Sequence, residues 1–513
     1  MPAGDETKYI FIFRKVIRLS TDKGCQAAWT AIAIAGEISM NREFIRAIVA
    51  IALGAAIWLA PVPAGVKTQA WHLFAVFVAT IFGFILKPLP MGAVALISLT
   101  FTALAGILRP TEILSGFANG TLWLIVAVFL FTRGFIKSGL GRRIAYKFIS
   151  ALGGSALSLG YSLVASDLVI STATPANTAR AGGILFPIAR SLCTAFESEP
   201  GTSPRRFGAY LMQTVYQGNA VTSAMFMTAM AGNLLVVELA RKILNVNITW
   251  LDWAAAASVP GLVSLLVVPY ILYIIYPPEV KKTPEAKEMA RQELARLGPM
   301  TGAEKIVAGV FVLAMAMWVA AGLKKVLPWV PVVDATVVAL LAVSIMIATK
   351  VLAWQDVLEE KGAWDILVWM GAIVGLAGFL AKLGFIHWFA KTVSAAIAGI
   401  PWVPALGILL VVYLYAHYGF ASLTAHITAL YAPFAAVAVA AGAPPMMAAL
   451  AFGFLSNLCM SLTHYAAGPA PIFFSAGFVD QGAWWRLGFV VSVVNLVVWG
   501  GIGSLWWKAI GIW

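Results

Sequence analysis

Thr174-Pro175-Ala176-Asn177-Thr178-Ala179-Arg180 and Phe420-Ala421-Ser422-Leu423-Thr424-Ala425-His426 are two short polar islands in otherwise apolar sequence. Arg180 and His426 each stand two residues after the Thr of a Thr-Ala pair, and the two islands lie 246 residues apart. Ionisable side chains at membrane depth are costly and mark functional sites by default. Two of them at matched positions of a duplicated chain point to one central site for an anion.

The surrounding composition is that of a membrane protein. Of the 513 residues, 61% are hydrophobic and 11% charged. Apolar runs of about 18 to 25 residues are enough to span a bilayer. Counting them predicts an all-α polytopic membrane protein with about eleven transmembrane helices. The 19 tryptophans, many near the ends of these runs, fit aromatic belts at the interfaces. The net charge of +13 does not indicate nucleic acid, because the basic residues cluster in short connections. One group precedes the first span (Lys8, Arg14, Lys15, Arg18, Lys23, Arg42, Arg46), and another occupies the long polar segment with Lys281, Lys282, Lys287, Arg291, Arg296 and Lys305. The positive-inside bias makes that side cytoplasmic, so the chain is expected as a multi-pass protein of the cell (inner) membrane. Cys25, Cys193 and Cys459 are widely spaced and form no CxxC pair, so their spacing indicates neither a metal site nor a disulfide framework. No metal and no cofactor are expected. Residues 1–41 form an N-terminal extension, and Met40 opens a more ordinary start directly before a span.

The chain reads as an internal repeat. The 246-residue offset links Trp123 to Trp369, Thr178 to Thr424, Ala179 to Ala425 and Pro187 to Pro433. Further on it becomes 238, linking Asn219 to Asn457 and Ser223 to Ser461, and the longer polar linker at 196–207 accounts for the change. Five crossings lie between the Trp123 and Trp369 runs, so the second copy is expected inverted in the membrane. Inverted repeats with interrupted helices are a recurring transporter architecture. Non-helical backbone at this depth survives only when buried in protein or lining a cavity. The expected organisation is a first repeat over 42–276, a linker over 277–305 and a second repeat over 306–513. Each repeat carries a re-entrant helical hairpin (155–192 and 402–437, with tips near Asn177 and Leu423) and an interrupted helix. Gly218-Asn219 and Ser456-Asn457 are expected to begin the unwound segments, the second continuing through Gly468 and Pro469.

These residues resemble the divalent anion/sodium symporter family, whose hairpin tips carry Ser-Asn-Thr motifs. The resemblance is closest to its exchanger branch, which includes bacterial citrate/succinate and tartrate/succinate antiporters and plastid 2-oxoglutarate/malate translocators. Ser166–Val169 with Pro175–Gly183, Phe420–His426 with Tyr431–Phe434, and His464–Pro471 carry it, and it extends over roughly residues 42 to 513. By position the tip motifs are Ala176-Asn177-Thr178 and Ser422-Leu423-Thr424. Ala176 lacks a hydroxyl and Leu423 lacks an amide. Sodium wants several oxygen ligands, so each departure weakens a sodium site. The resemblance implies a homodimer with an elevator-like substrate domain, exchanging C4-dicarboxylates, 2-oxoglutarate or citrate across the bilayer.

The substrate-binding set expected from these readings is Asn177, Thr178, Arg180, Asn219, Ser223, Ser422, Thr424, His426, Asn457, Ser461, Gly468 and Pro469. Arg180 suits a carboxylate through its bidentate fork, and His426 adds charge when protonated. A lone guanidinium here also favours exchange, because an empty site would carry an unpaired cation through the bilayer; pairing with Asp167 in the same hairpin would remove that argument. His417 and His464 have no counterpart in the repeat and read as structural. A sodium-coupled symporter of the same fold is the alternative. An intramembrane enzyme is remote, since the chain holds no HExxH helix and no GxSxG elbow.

Overall fold

The computed structural model describes residues 43–172, 174–324, 329, 332–386, 388–389, 392 and 401–513. The N-terminal extension expected over 1–41 lies outside the described residues. Regular structure within them is helical, joined by a single isolated bridge between Ser155 and Lys282. Eight of the described helices are long and apolar enough to cross a membrane, and four further apolar helices are shorter. The chain is a multi-pass membrane protein.

Side-chain caps define where many helices start. Asn119 accepts from the Leu122 N–H to open Gly120–Ser138. Thr249 and Asp252 form a reciprocal capping box at Trp250–Ile275, as do Thr301 and Glu304 at Gly302–Leu323. Gly139, at φ 80°, ends Gly120–Ser138 in the left-handed region that glycine tolerates best. Trp250–Ile275 contains Pro260 and Pro269. A proline withdraws the N–H that would bind the carbonyl four residues back. For Pro260 that carbonyl belongs to Ala256, and the Trp507 indole N–H donates to it at 2.9 Å. The C-terminal helix thereby satisfies a group that lipid cannot.

The two repeats show the same succession of elements. Thr68–Leu86, Met91–Leu104 and Gly120–Ser138 lead to the first hairpin; Gly302–Leu323, Ala335–Ala348 and Lys361–Lys382 lead to the second. The first hairpin has limbs Ala156–Ser171 and 177–195, and the second has limbs Trp402–Ala416 and Leu423–Ala440. Each second limb therefore runs three residues past the end expected from sequence. Both second limbs open with one α-turn, widen into a π-turn and return to α-helix at a proline. The π-turns are Ala181–Leu185 and Ile427–Tyr431, offset by the same 246 residues as the polar islands. Ser155 opens the first hairpin through a capping box with Ser158.

The polar segment expected as a loop over 277–305 holds a helix, Pro284–Leu297, with Pro284 in its first turn and Gly298 (φ 64°) at its end. It packs along the amphipathic helix Leu140–Leu152. Arg143 of that helix fixes the arrangement. Its guanidinium pairs with Glu304 at 2.7 and 3.0 Å and donates to the Gly298 carbonyl at 2.8 Å. Both partners are buried.

Candidate functional site

The breaks that follow the hairpins lie later than the sequence reading puts them. Gly208–Met225 is helical through Gly218, Asn219 and Ser223, and the chain leaves the α-helix only at Phe226 before resuming at Ala231–Leu239. Pro445–Leu458 likewise runs through Ser456 and Asn457, tightens over Cys459–Ser461, and resumes at Pro469–Ser475. The restarts at Ala231 and Pro469 keep the 238-residue offset. Asn233 explains the first displacement. Its side-chain amide donates to the carbonyls of Ser223 (2.8 Å) and Phe226 (3.0 Å), which face the gap; the Phe226 carbonyl also accepts from the Ala229 N–H at 3.0 Å. Gly218 lies within this helix, and Val164 packs where a side chain there would be.

The hairpin tips meet the breaks crosswise. Asn177 begins the short first turn of one tip and Leu423 that of the other. A Cβ on Gly468 would collide with Thr178 Oγ1, and one on Gly182 would meet Ile472, so the first tip lies against the second broken helix. Conversely, a Cβ on Gly232 would meet Ile427, which places the second hairpin's π-turn against the first broken helix. The Asn177 amide approaches Met460 Sδ at 3.9 Å. The Ala231 N–H donates to the Pro175 carbonyl at 3.0 Å. Asn457 donates to Asn233 Oδ1 at 2.7 Å, a bond between the breaks of the two copies. Asn177, Thr178, Gly468 and Pro469 are thus gathered on one side of this centre, while Ser422, Thr424 and His426 form the other tip. Ser422 Oγ caps its own turn, accepting from the Ala425 N–H at 3.3 Å; Ala176, the residue before the first tip's turn, has no hydroxyl for this role.

The two cationic positions differ in surroundings. Arg180 is fully buried and heavily engaged. Its Nε donates to Asp167 Oδ1 at 2.6 Å, Nη1 to the carbonyls of Thr174 (2.7 Å) and Ala229 (2.9 Å), and Nη2 to Ser223 Oγ at 3.0 Å. The other Asp167 oxygen accepts from Asn219 (3.0 Å) and Thr222 (2.5 Å). Arg180 is therefore not a lone guanidinium with a free fork. It braces the first tip, and Asp167 neutralises it, which removes the argument for exchange based on an unpaired arginine. Asn219 and Ser223 belong to this brace. At the 246-residue offset Asp167 corresponds to Tyr413, so the second copy replaces Asp–Arg by Tyr–His. There the rings of Tyr413 and His426 meet edge to face at 4.3 Å, and the Tyr413 hydroxyl lies 2.7 Å from Ser456 Oγ. His426 is fully buried, its two ring nitrogens have no partner among the described residues, and the same holds for Ser461 Oγ. His464 accepts from the Trp485 indole at 3.0 Å.

Sequence reasoning missed Tyr413, and it placed Thr222 and Asn233 in the polar stretches around the first break without giving either a role. The repeat offset reaches Tyr413 directly from Asp167, but the two residues share no chemistry and nothing in the spacing ties them to the tips. Asn233 offered a better signal, an amide at the head of the resumed helix.

Residues 41–513 match the family described as the sodium:sulfate symporter transmembrane region. The putative malate transporter YflS of Bacillus subtilis is 50% identical over 472 residues, which cover 92% of this chain and 97% of the relative. Dicarboxylate transporter 1 of Spinacia oleracea chloroplasts is 46% identical over 466 residues, 90% of this chain and 81% of the relative. The inner membrane protein YbhI of Escherichia coli is 39% identical over 483 residues, 92% of this chain and 99% of the relative. Among solved structures, the Alcanivorax borkumensis YdaH transporter shares the fold at a TM-score of 0.51 and 12% identity, covering 92% of this chain and 98% of that one. Neisseria gonorrhoeae MtrF does so at 0.52 and 14%, covering 91% and 94%.

Proposed function

We propose that this chain, which belongs to the sodium:sulfate symporter transmembrane family and is a transporter rather than an enzyme, exchanges dicarboxylates across the membrane without sodium. The carrying observation is the crosswise meeting of each hairpin with the other copy's broken helix, with Thr178 against Gly468 and Ile427 against Gly232. Such a centre collects polar groups from both copies at one place. Asn177, Thr178, Ser422 and Thr424 supply hydrogen bonds to carboxylate oxygens, Gly468 and Pro469 shape the approach, and His426 offers a buried ring N–H. Arg180, Asn219 and Ser223 act through the tip they brace. Asn457 and Ser461 line the far side. The names of YflS and of the chloroplast relatives support a dicarboxylate as the substrate.

Independence from sodium rests on the ligand inventory. Ala176 and Leu423 offer no side-chain oxygen, and Leu423 is buried. Both Asp167 oxygens already serve Arg180, Asn219 and Thr222. A hard cation needs several oxygens that are not otherwise committed. Exchange is favoured because His426 and Ser461 present buried donors that a carboxylate satisfies, and an unsatisfied buried donor costs about 1–3 kcal/mol. The loaded centre therefore moves through the bilayer more readily than the empty one. The domain movement is read as an elevator in a homodimer, each protomer carrying one such centre.

The test is counterflow in proteoliposomes preloaded with malate, succinate, 2-oxoglutarate, tartrate or citrate, in sodium-free buffer. Uptake that requires a dicarboxylate inside and ignores sodium is the expected result. A saturable sodium requirement with no need for internal substrate would replace this reading by sodium-coupled symport.

A further inference from the structure

Three side chains of metal-ligating type meet behind the second hairpin tip. His417 lies at the end of the first limb, His426 on the second limb, and Cys459 in the tight turn that follows Pro445–Leu458. One donor atom from each lies within 4.8 Å of the others, and all three residues are fully buried. Their hydrogen bonds do not account for them. His417 Nε2 lies 2.9 Å from the Ala466 carbonyl, which makes it the N–H donor and leaves Nδ1 as a bare lone pair. Nδ1 has no partner, nor does either nitrogen of His426. The Cys459 thiol donates to the Ser456 carbonyl at 3.4 Å, which leaves its sulfur lone pairs free. Buried polar groups are nearly always hydrogen-bonded, so three orphan nitrogens in one cluster call for an explanation.

We propose that His417, His426 and Cys459 form a binding site for a thiophilic divalent cation of the zinc and cadmium class. Two imidazoles and a thiol are the donor set such ions prefer, and they offer no oxygen to magnesium or calcium. The Ala466 carbonyl supplies the outer hydrogen bond by which ligating histidines are commonly oriented, with the opposite nitrogen turned to the metal. Zinc bonds of about 2.0–2.3 Å at tetrahedral angles need donor atoms roughly 3.5 Å apart, so closing the present cluster takes shifts of about 1 Å. Binding replaces the thiol proton with the metal and releases that proton to the medium. The ion then joins both hairpin limbs to the broken helix and takes His426 away from any substrate.

The experiment uses the full-length protein in lipid nanodiscs, without carboxylate, so its outcome is independent of the transport reading. Cys25→Ser/Cys193→Ser serves as the background, leaving Cys459 as the remaining thiol. Cadmium titration is expected to give one site per chain, a thiolate-to-metal absorption band, about one proton released per ion and a raised unfolding temperature. Cys459→Ser keeps a donor for the Ser456 carbonyl and is expected to abolish the band and weaken binding at least about tenfold. Should that variant fold poorly, His417→Gln is expected to weaken binding by a similar factor while the thiolate remains. Absence of the band in the background protein, or binding unchanged in both variants, overturns the site and leaves the cluster as a hydrated histidine pair.

Discussion

Removing both halves of the Asp167–Arg180 pair is expected to damage the fold less than the two single losses added together. Arg180 is fully buried and its Nε lies 2.6 Å from the carboxylate. Breaking such a pair from one side leaves a charge stranded away from water and costs about 3–5 kcal/mol. Asp167→Asn strands the guanidinium with only its two carbonyls and Ser223 Oγ. Arg180→Gln strands the carboxylate with Asn219 and Thr222 still donating to it, so its cost should fall at the lower end of that range. A substitution of Arg180 is therefore not a clean test of substrate binding, although the sequence suggests it as one. The double variant Asp167→Asn/Arg180→Gln buries no charge and should be more stable than the sum of the single effects by about 2–3 kcal/mol. Steric-trap unfolding in mixed micelles measures all four corners of this cycle. A coupling energy below about 0.5 kcal/mol would refute the view that Asp167 neutralises Arg180 and braces the tip. Calorimetry on the double variant then separates bracing from direct contact, since recovered dicarboxylate binding assigns Arg180 to the brace and lost binding assigns it to the substrate.

Three further outcomes are expected. Gly468→Ala should leave the protein folded yet lower dicarboxylate exchange at least about tenfold, because its new methyl meets Thr178 Oγ1 and pushes the first tip off the broken helix; normal exchange by Gly468→Ala would count against the crosswise centre. His426→Gln should weaken dicarboxylate binding, because the buried imidazole nitrogens have no other partner among the described residues; calorimetry checks it, and unchanged affinity would remove His426 from the centre. Arg143→Ala should cost about 3–5 kcal/mol by stranding Glu304, with Arg143→Ala/Glu304→Gln recovering much of it in the same unfolding assay.

Much of this architecture was legible because duplication writes a pattern twice. The offset that joins Thr178 to Thr424 also joins the two tips, and a hairpin with a polar turn in apolar surroundings has few other homes. The positions of the helix breaks were less legible. Asn219 and Asn457 are polar residues beside glycine or serine, which resembles the onset of a break, yet packing keeps both in helix and the chain opens several residues later. Phe226 and Met230 are extended although their side chains give no such signal, because the partner for the freed carbonyls, Asn233, arrives from further along the chain. The helix at Pro284–Leu297 had its signals in place, with proline in the first turn and glycine at the end, but a charged segment between spans reads as a loop until a partner surface is known. The asymmetry between Arg180 and His426 was the hardest to foresee. Spacing matches the two positions, while the residues that meet them, Asp167 and Tyr413, share position but no chemistry.

The paired π-turns bear on the history of the chain. A π-turn arises when one extra residue is accommodated within an α-helix, and it turns everything beyond it by about 100° relative to the uninterrupted helix. Ala181–Leu185 and Ile427–Tyr431 occupy equivalent places in sequences that otherwise share few residues. A single insertion in an ancestral half-length gene, made before that gene doubled, accounts for both; separate insertions would have had to strike the same register twice. A half-length origin of this kind leaves the same rotation in both tips, one carrying an arginine bound to an aspartate and the other a histidine beside a tyrosine.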